Sequence, residues 1–163
     1  MARQNMMFRI LGMTNFRTLA KNIIRDPAML NYLDNDRNEK ENPNENLGRE
    51  LMELFTLGEG KYDEFTVKEA ARALTGYSVN PLADFSFELK EQRQDTGNKT
   101  LFGRSGNFDG DALVDIILEQ PAAAQFIAQK FWRNFVSETY TRKSEILVIA
   151  NQFRISNYDL KTL

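Results

Sequence analysis

The chain has no histidine and no cysteine in its 163 residues. Without Cys it forms no disulfide, offers no thiolate nucleophile and builds no zinc cage of the usual thiolate kind. Without His there is no imidazole base, which excludes Ser-His and Cys-His catalysis within this chain. A metal would rest on carboxylates, amides and carbonyls, a donor set for calcium or magnesium. Neither a haem nor a zinc signature is present, and the phosphate-loop pattern of nucleotide sites is absent. Acid–base work would fall to Asp, Glu, Lys or Tyr.

An excess of one charge is also lacking. Lys plus Arg number 21 against 23 Asp plus Glu, with no long basic run, so the clustered positive surface that nucleic-acid binding requires is missing. The longest purely apolar run is Ile146 to Ala150, far short of the roughly 20 residues of a membrane-spanning helix. The opening "MARQNMMFRILGM" mixes Arg and Asn into its apolar residues and does not read as a secretory signal. No targeting address is legible.

What is there is mostly helical. Phe8, Leu11, Phe16, Leu19, Ile23 and Ile24 recur at three- to five-residue spacings, with a break near Gly12 and Thr14. Asp26-Pro27 reads as an N-cap with Pro at the first helical position, opening a short helix to Leu33. Asp34 to Pro43 is a polar loop, after which Asn42-Pro43 repeats the cap-plus-Pro signature and predicts a helix to about Leu57, stopped by Gly58 and Gly60. "TVKEAARALTG" predicts a helix with a Thr66–Glu69 capping box and Gly76 as its stop. The period then changes. Phe85, Phe87 and Leu89 alternate with polar residues, and "KTLFG" follows a turn at Asp95 to Asn98, which predicts a small β-hairpin over about 85–102. Further helices are predicted from Asp111 to Leu118, from Pro121 through Phe135, and from Arg142 to Phe153. "ISNYDLKTL" reads as the start of an amphipathic helix, capped by Ser156 or Asn157, inside which the chain stops. The fold class is therefore mainly α: a multi-helix orthogonal or bundle-like domain over 1–163 with a β-hairpin insertion, expected to be incomplete at both ends.

Three constellations carry chemistry. Counted from Asp34, the residues Asp34, Asp36, Asn38, Lys40, Asn42 and Glu45 fall at loop positions 1, 3, 5, 7, 9 and 12, the ligand spacing of an EF-hand. The turn Gly expected at position 6 is Glu39, position 8 is Glu41, and Pro43 starts a helix early. Of these, Asp34, Asp36, Asn38, Asn42 and Glu45 remain candidate cation ligands; the plain alternative is a solvated loop of helix caps. In the helix from Pro43 to Leu57, Leu47, Leu51, Leu54 and Phe55 form the expected buried arc. Asn46, Glu50 and Glu53 flank it, and Arg49 stands at i±4 from Glu45 and Glu53. Two half-buried carboxylates could split their pKa values for acid–base work or hold a cation, or serve only in surface ion pairs. The stripe Phe126, Ile127, Lys130, Phe131 and Phe135 fits a core helix with charged outer edges better than an RNA surface. Asp95-Thr96-Gly97 lacks the strand of an aspartic-protease signature and reads as a turn, and Gly103, Gly106 and Gly110 read as a capped loop because Asp109 and Asp111 would repel phosphate.

In order along the chain, "DPAMLNYLDN", "PNENLGRELMELFTLGEGKYDEFTVKEAARALTGY", "GNFDGDALVDIIL" and "QPAAAQFIAQKFWRNFV" resemble the domain-of-unknown-function family numbered 1800, a group of uncharacterised bacterial proteins. The resemblance implies a mainly helical protein, often exported, often encoded beside a second family related to sulfatases, and longer than this chain. Family members carry a "WHNHF"-like segment and often a His where this chain has Phe55, so His-dependent chemistry would lie outside it. Carried onto this sequence, the resemblance puts weight on Asn44, Glu45, Asn46, Arg49, Glu50, Glu53, Arg72, Thr75 and Gly76, with Arg72 expected to pair with Glu50 or Glu53. Two readings follow. One is a polar site on the helix 43–57 that binds a divalent cation or acts in hydrolysis. The other is a non-catalytic helical structural or interaction module, completed by self-association or by a protein partner such as the sulfatase-related neighbour.

Overall fold

The computed structural model of the chain describes residues 2–139 and 142–163. Helix α1 (Ala2–Leu11) and α2 (Phe16–Ile23) are separated by the expected break. There the Asn15 side chain accepts from the Thr18 N–H and Thr14 Oγ1 bonds the Leu11 carbonyl. Asp26 caps α3 (Pro27–Tyr32) by accepting from the Met29 N–H at 3.0 Å. The Gln4 amide donates to the same carboxylate and ties α1 to that cap.

The motif helix departs from its sequence expectation in where it starts and in the type of its second half, while it ends about where expected. Residues 43–45 are not helical, and α4 runs only from Asn46 to Glu50. Asn44, not Asn42, serves its first turn by accepting from the Asn46 N–H. From there the chain continues without a break into a π-helical stretch, Leu51–Thr56. Its wide turn is closed by the Leu57 N–H on the Met52 carbonyl at 2.8 Å, while Thr56 Oγ1 donates to the Leu51 carbonyl. Each residue of a π-turn advances less around the axis than in an α-helix, so the buried arc shifts. Met52, Thr56 and Leu57 are buried, whereas Leu54, placed in the core by α-helical periodicity, is 48% exposed.

Helix α5 (Glu64–Ala73) packs against α4 where Gly48 allows a close approach. A Cβ on Gly48 would stand 3.2 Å from both the Ala70 Cβ and the Ala71 nitrogen. The capping box predicted at Thr66–Glu69 is not formed. Asp63 is the cap, accepting from the Thr66 N–H and hydroxyl, because the helix starts two residues before Thr66. Glu69 is thereby free to turn inward.

The β-structure comprises two hairpins where the sequence suggested one. Strand β1 (Tyr77–Asn80) pairs antiparallel with β2 (Ser86–Leu89), and β3 (Lys99–Leu101) pairs with β4 (Arg104–Gly106). The alternating segment 85–89 thus finds its partner upstream at Tyr77, and "KTL" finds its own downstream. Gly76, at φ +80°, makes the turn from α5 into β1; a Cβ there would sit 2.7 Å from the Lys90 carbonyl oxygen.

Helices α6 (Gly110–Glu119), α7 (Pro121–Phe135) and α8 (Lys143–Ile155) complete the set of eight among the described residues. Asp109 caps α6 through the Ala112 N–H, and Gly110 lets Tyr77 and Ile24 crowd against that helix start. Ion pairs join α2 to α6: Arg17 and Lys21 on Asp115, and Arg25 on Asp111. The core runs through Leu47, Leu51, Met52, Val67, Leu74, Leu113, Ile117, Ala124, Ala128 and Phe153. The last residues form no amphipathic helix. Ser156 closes α8, Asp159 caps a 3₁₀ turn (Leu160–Thr162), and buried Tyr158 packs edge-on against Phe153 while its hydroxyl donates to the Leu118 carbonyl. This tail is stitched to the α1–α2 junction by Phe16 N–H to Tyr158 O at 2.8 Å and Leu160 N–H to Thr14 O at 2.9 Å.

Candidate functional site

Several side chains of the EF-hand-like spacing are engaged by the protein itself. Asn35 and Asn38 are buried and act as struts. Asn35 donates to the Leu74 and Tyr77 carbonyls, and Asn38 donates to Ala71 O and Asn35 Oδ1 while accepting from the Asn44 N–H. Asp36 accepts from the Ser78 hydroxyl and from the Val79 N–H. Burial pushes its pKa up, but these two donors outweigh burial and hold it below the ordinary carboxylate value. Asp34 and Asn42 are exposed, and Glu45 is taken by Arg49. Among the described residues no group of three or more Asp or Glu is placed to hold a metal ion. Asn35, Asn38 and Asp36 thereby pin the loop to the end of α5 and to β1.

Two arginines organise the motif. Arg49 grips Glu64 with both terminal nitrogens, at 2.8 and 2.7 Å, and reaches Glu45 at 2.9 Å. The i+4 partner expected at Glu53 is not used, because Glu64 at the start of α5 offers a bidentate acceptor. Arg72 pairs with neither Glu50 nor Glu53. It holds Asp95 through Nε at 2.7 Å and Nη2 at 3.2 Å, and Glu69 through Nη1 at 2.8 Å. Glu69 also accepts from the Thr100 N–H of β3, so one helix turn and one hairpin share a single ionic knot. Asp95 is fixed further by the Gly97 N–H on its carboxylate, and its own N–H donates to the Thr75 hydroxyl. Burial raises the Asp95 pKa, and Arg72 and the Gly97 N–H bring it below the usual value. Lys99 is buried in the same cluster, its ammonium donating to the Asp95 and Gly97 carbonyls and to Asn107 Oδ1. Desolvation lowers its pKa.

Glu50 and Glu53 are half-buried, as their position on the helix suggested, and Asn46 is exposed. Glu53 accepts from the Tyr62 hydroxyl at 2.9 Å. Burial, then this bond to Glu53, pushes the Tyr62 phenol up to about 12, which keeps it a neutral donor. The motif's carboxylates are thus brought near one phenol but not to one another's partners.

An apolar concavity lies elsewhere. A trough of about 540 Å³ lies between α1, α2, the π-helical stretch, α7 and the C-terminal turn. Ala20, Leu51 and Ile127 form buried parts of its lining, Phe16, Phe55 and Phe131 are half-buried, and Leu54, Phe8 and Phe135 stand exposed around it. Phe135, assigned to the core by its position in the α7 stripe, is 77% exposed, whereas Ile127 is buried as expected, and Trp132, outside that stripe, is buried too. The one charged residue in the lining is Lys130, which donates to the Leu54 carbonyl and lies 4.8 Å from the Phe126 ring centre. Sequence reasoning missed the partners of Glu64, Asp95 and Lys99, which lie outside their own elements, and gave Glu69 to a capping box instead of to Arg72 and Thr100. It missed the trough because nothing local marks a helix face that remains uncovered.

A mainly α-helical fold whose polar motif knots helices to a hairpin is the class these features define. The protein family "Protein of unknown function (DUF1800)" matches residues 1–163, and the chain belongs to it. No curated protein and no solved structure matches the chain.

Proposed function

We propose that the chain is a non-catalytic helical interaction module whose working surface is the apolar trough. The observation that carries this reading is a contrast. The two arginines of the motif block are engaged in ion pairs, Arg49 with Glu45 and Glu64, and Arg72 with Glu69 and Asp95. The trough, by contrast, presents aromatic and aliphatic side chains to solvent. Contiguous exposed apolar surface of this kind marks interaction sites in globular proteins. The cation or hydrolytic reading of Glu50 and Glu53 rests on their spacing, and the Glu53–Tyr62 bond is satisfied without a ligand.

Two measurements test the proposal. An apolar fluorescent dye should brighten on the folded protein, and Leu54→Asp should remove most of that signal with an unchanged circular dichroism spectrum. Calcium or magnesium should leave the melting temperature where it is. A rise in melting temperature that Glu50→Gln or Glu53→Gln abolishes would overturn the module reading in favour of a cation site, since a ligand of the native state stabilises it by mass action.

A further inference from the structure

Resting on that reading, we infer that the trough receives an amphipathic helix of a partner polypeptide, one that carries acidic residues beside its apolar stripe. The trough opens to solvent, and Leu54, Phe8 and Phe135 of its lining are exposed. Pockets for small ligands enclose most of the ligand's surface. An open trough suits an element that inserts side chains at i, i+3, i+4 and i+7 from one side. The wall that meets it is the π-helical stretch, a distortion that recurs at functional sites. Here the distortion turns Leu54 outward and leaves its carbonyl to be served by Lys130 from α7.

The charge at the rim selects the partner's sign. The Lys130 ammonium has three donors, and one is used on the Leu54 carbonyl. Arg133, one turn further along α7, is exposed and shares a polar recess beside the trough with Lys130, Asn134 and Glu138. Two cations against one carboxylate leave this end positive. A helix laid in the trough with Glu or Asp flanking its apolar face meets that charge favourably, and one flanked by Lys meets repulsion.

The experiment uses the whole chain and synthetic peptides of about 20 residues, long enough to form a helix on binding. One peptide carries Leu with Glu flanks, a second Leu with Lys flanks, and dodecanoate serves as the lipid-like competitor; binding is read by calorimetry. The Glu-flanked peptide should bind at least about fivefold more tightly than the Lys-flanked one, the scale of one or two exposed ion pairs. Arg133→Glu, at an exposed site, should reverse that preference without changing the melting temperature, and Leu54→Asp should abolish binding of both. Equal binding of the two peptides, or a preference that Arg133→Glu leaves intact, overturns the inference. Dodecanoate bound in the trough with neither peptide also overturns it, yet keeps the module reading. So does concentration-dependent dimerisation that Leu54→Asp removes. Absence of every one of these, with no dye signal, sinks both.

Discussion

The end of α5 and the trough beside α7 are opposites in how they treat water. Around Arg72 nearly every strong polar group has a partner inside the protein: two carboxylates, three carbonyls, a buried ammonium and the N–H of β3. Around Leu54 and Phe135, side chains that gain most from leaving water remain in it. A saturated polar cluster has nothing left to offer a ligand, and it specifies geometry. An unsaturated apolar face has a free-energy gain still to be realised. Arg49 and Arg72, which drew attention in the sequence, are held in ion pairs, and the less conspicuous α7 stripe lines the surface we propose for contact.

The comparison breaks first at Arg72. Arg72→Ala strands the half-buried Asp95 and buried Glu69 carboxylates, and removal of one partner from such a knot should cost about 3 kcal/mol in urea unfolding. A cost near zero would mean that the knot is ornamental. Next comes acid. Asp36, Asp95 and Asp115 all have folded-state pKa values below their ordinary ones. Their contribution is therefore present above the unfolded value of about 4 and is lost as pH falls through the lower folded values. Stability should decline from about pH 5 downward, and Asp95→Asn should flatten that decline; an unchanged slope would dissociate Asp95 from acid sensitivity. Arg49→Gln acts on a more exposed clasp and should weaken the fold less than Arg72→Ala. Its effect should fade at about 1 M salt, where screening reaches within about 3 Å. The smallest effect belongs to the trough. Phe135→Ser should stay within about 0.5 kcal/mol of the parent, because a side chain already in water has little burial to lose, and a larger loss would show that Phe135 is covered.

The sequence made visible much, though not all, of what is decided within a few residues. Asp26-Pro27, Asp109 and the breaks at Gly12 and Gly76 behave as local chemistry dictates. The mainly helical class and the whole-chain family match follow the same way. What the sequence concealed depends on distant partners. Strand Tyr77–Asn80 is four residues long and shows no alternation to announce it, so its pairing with 86–89 was assigned elsewhere. Asp95 reads as a turn residue, which it is, but its carboxylate is claimed by Arg72 from 23 positions away. The π-helical stretch is invisible to a 100° wheel, and that is why Leu54 was placed inside. Of the candidate site, the half-burial of Glu50 and Glu53 and the Arg49–Glu45 pair were legible, while Glu64 and the partners of Arg72 were not.

The stitch between the tail and the α1–α2 junction also sets a kinetic condition. Asn15 Nδ2 donates to the Asn157 carbonyl across 142 positions of sequence, and Asn15 and Asp159 form an antiparallel bridge. Contacts of that separation require nearly the whole chain to be closed into one loop before they contribute anything. They therefore form after the local helices and α4–α5 have assembled. On a nascent chain they cannot form until residues 157–160 have emerged, so the α1–α2 junction waits for partners far along the sequence. Native-state hydrogen exchange should find the Phe16 and Leu160 amides opening well below the global unfolding free energy, ahead of the amides in the Arg72 knot.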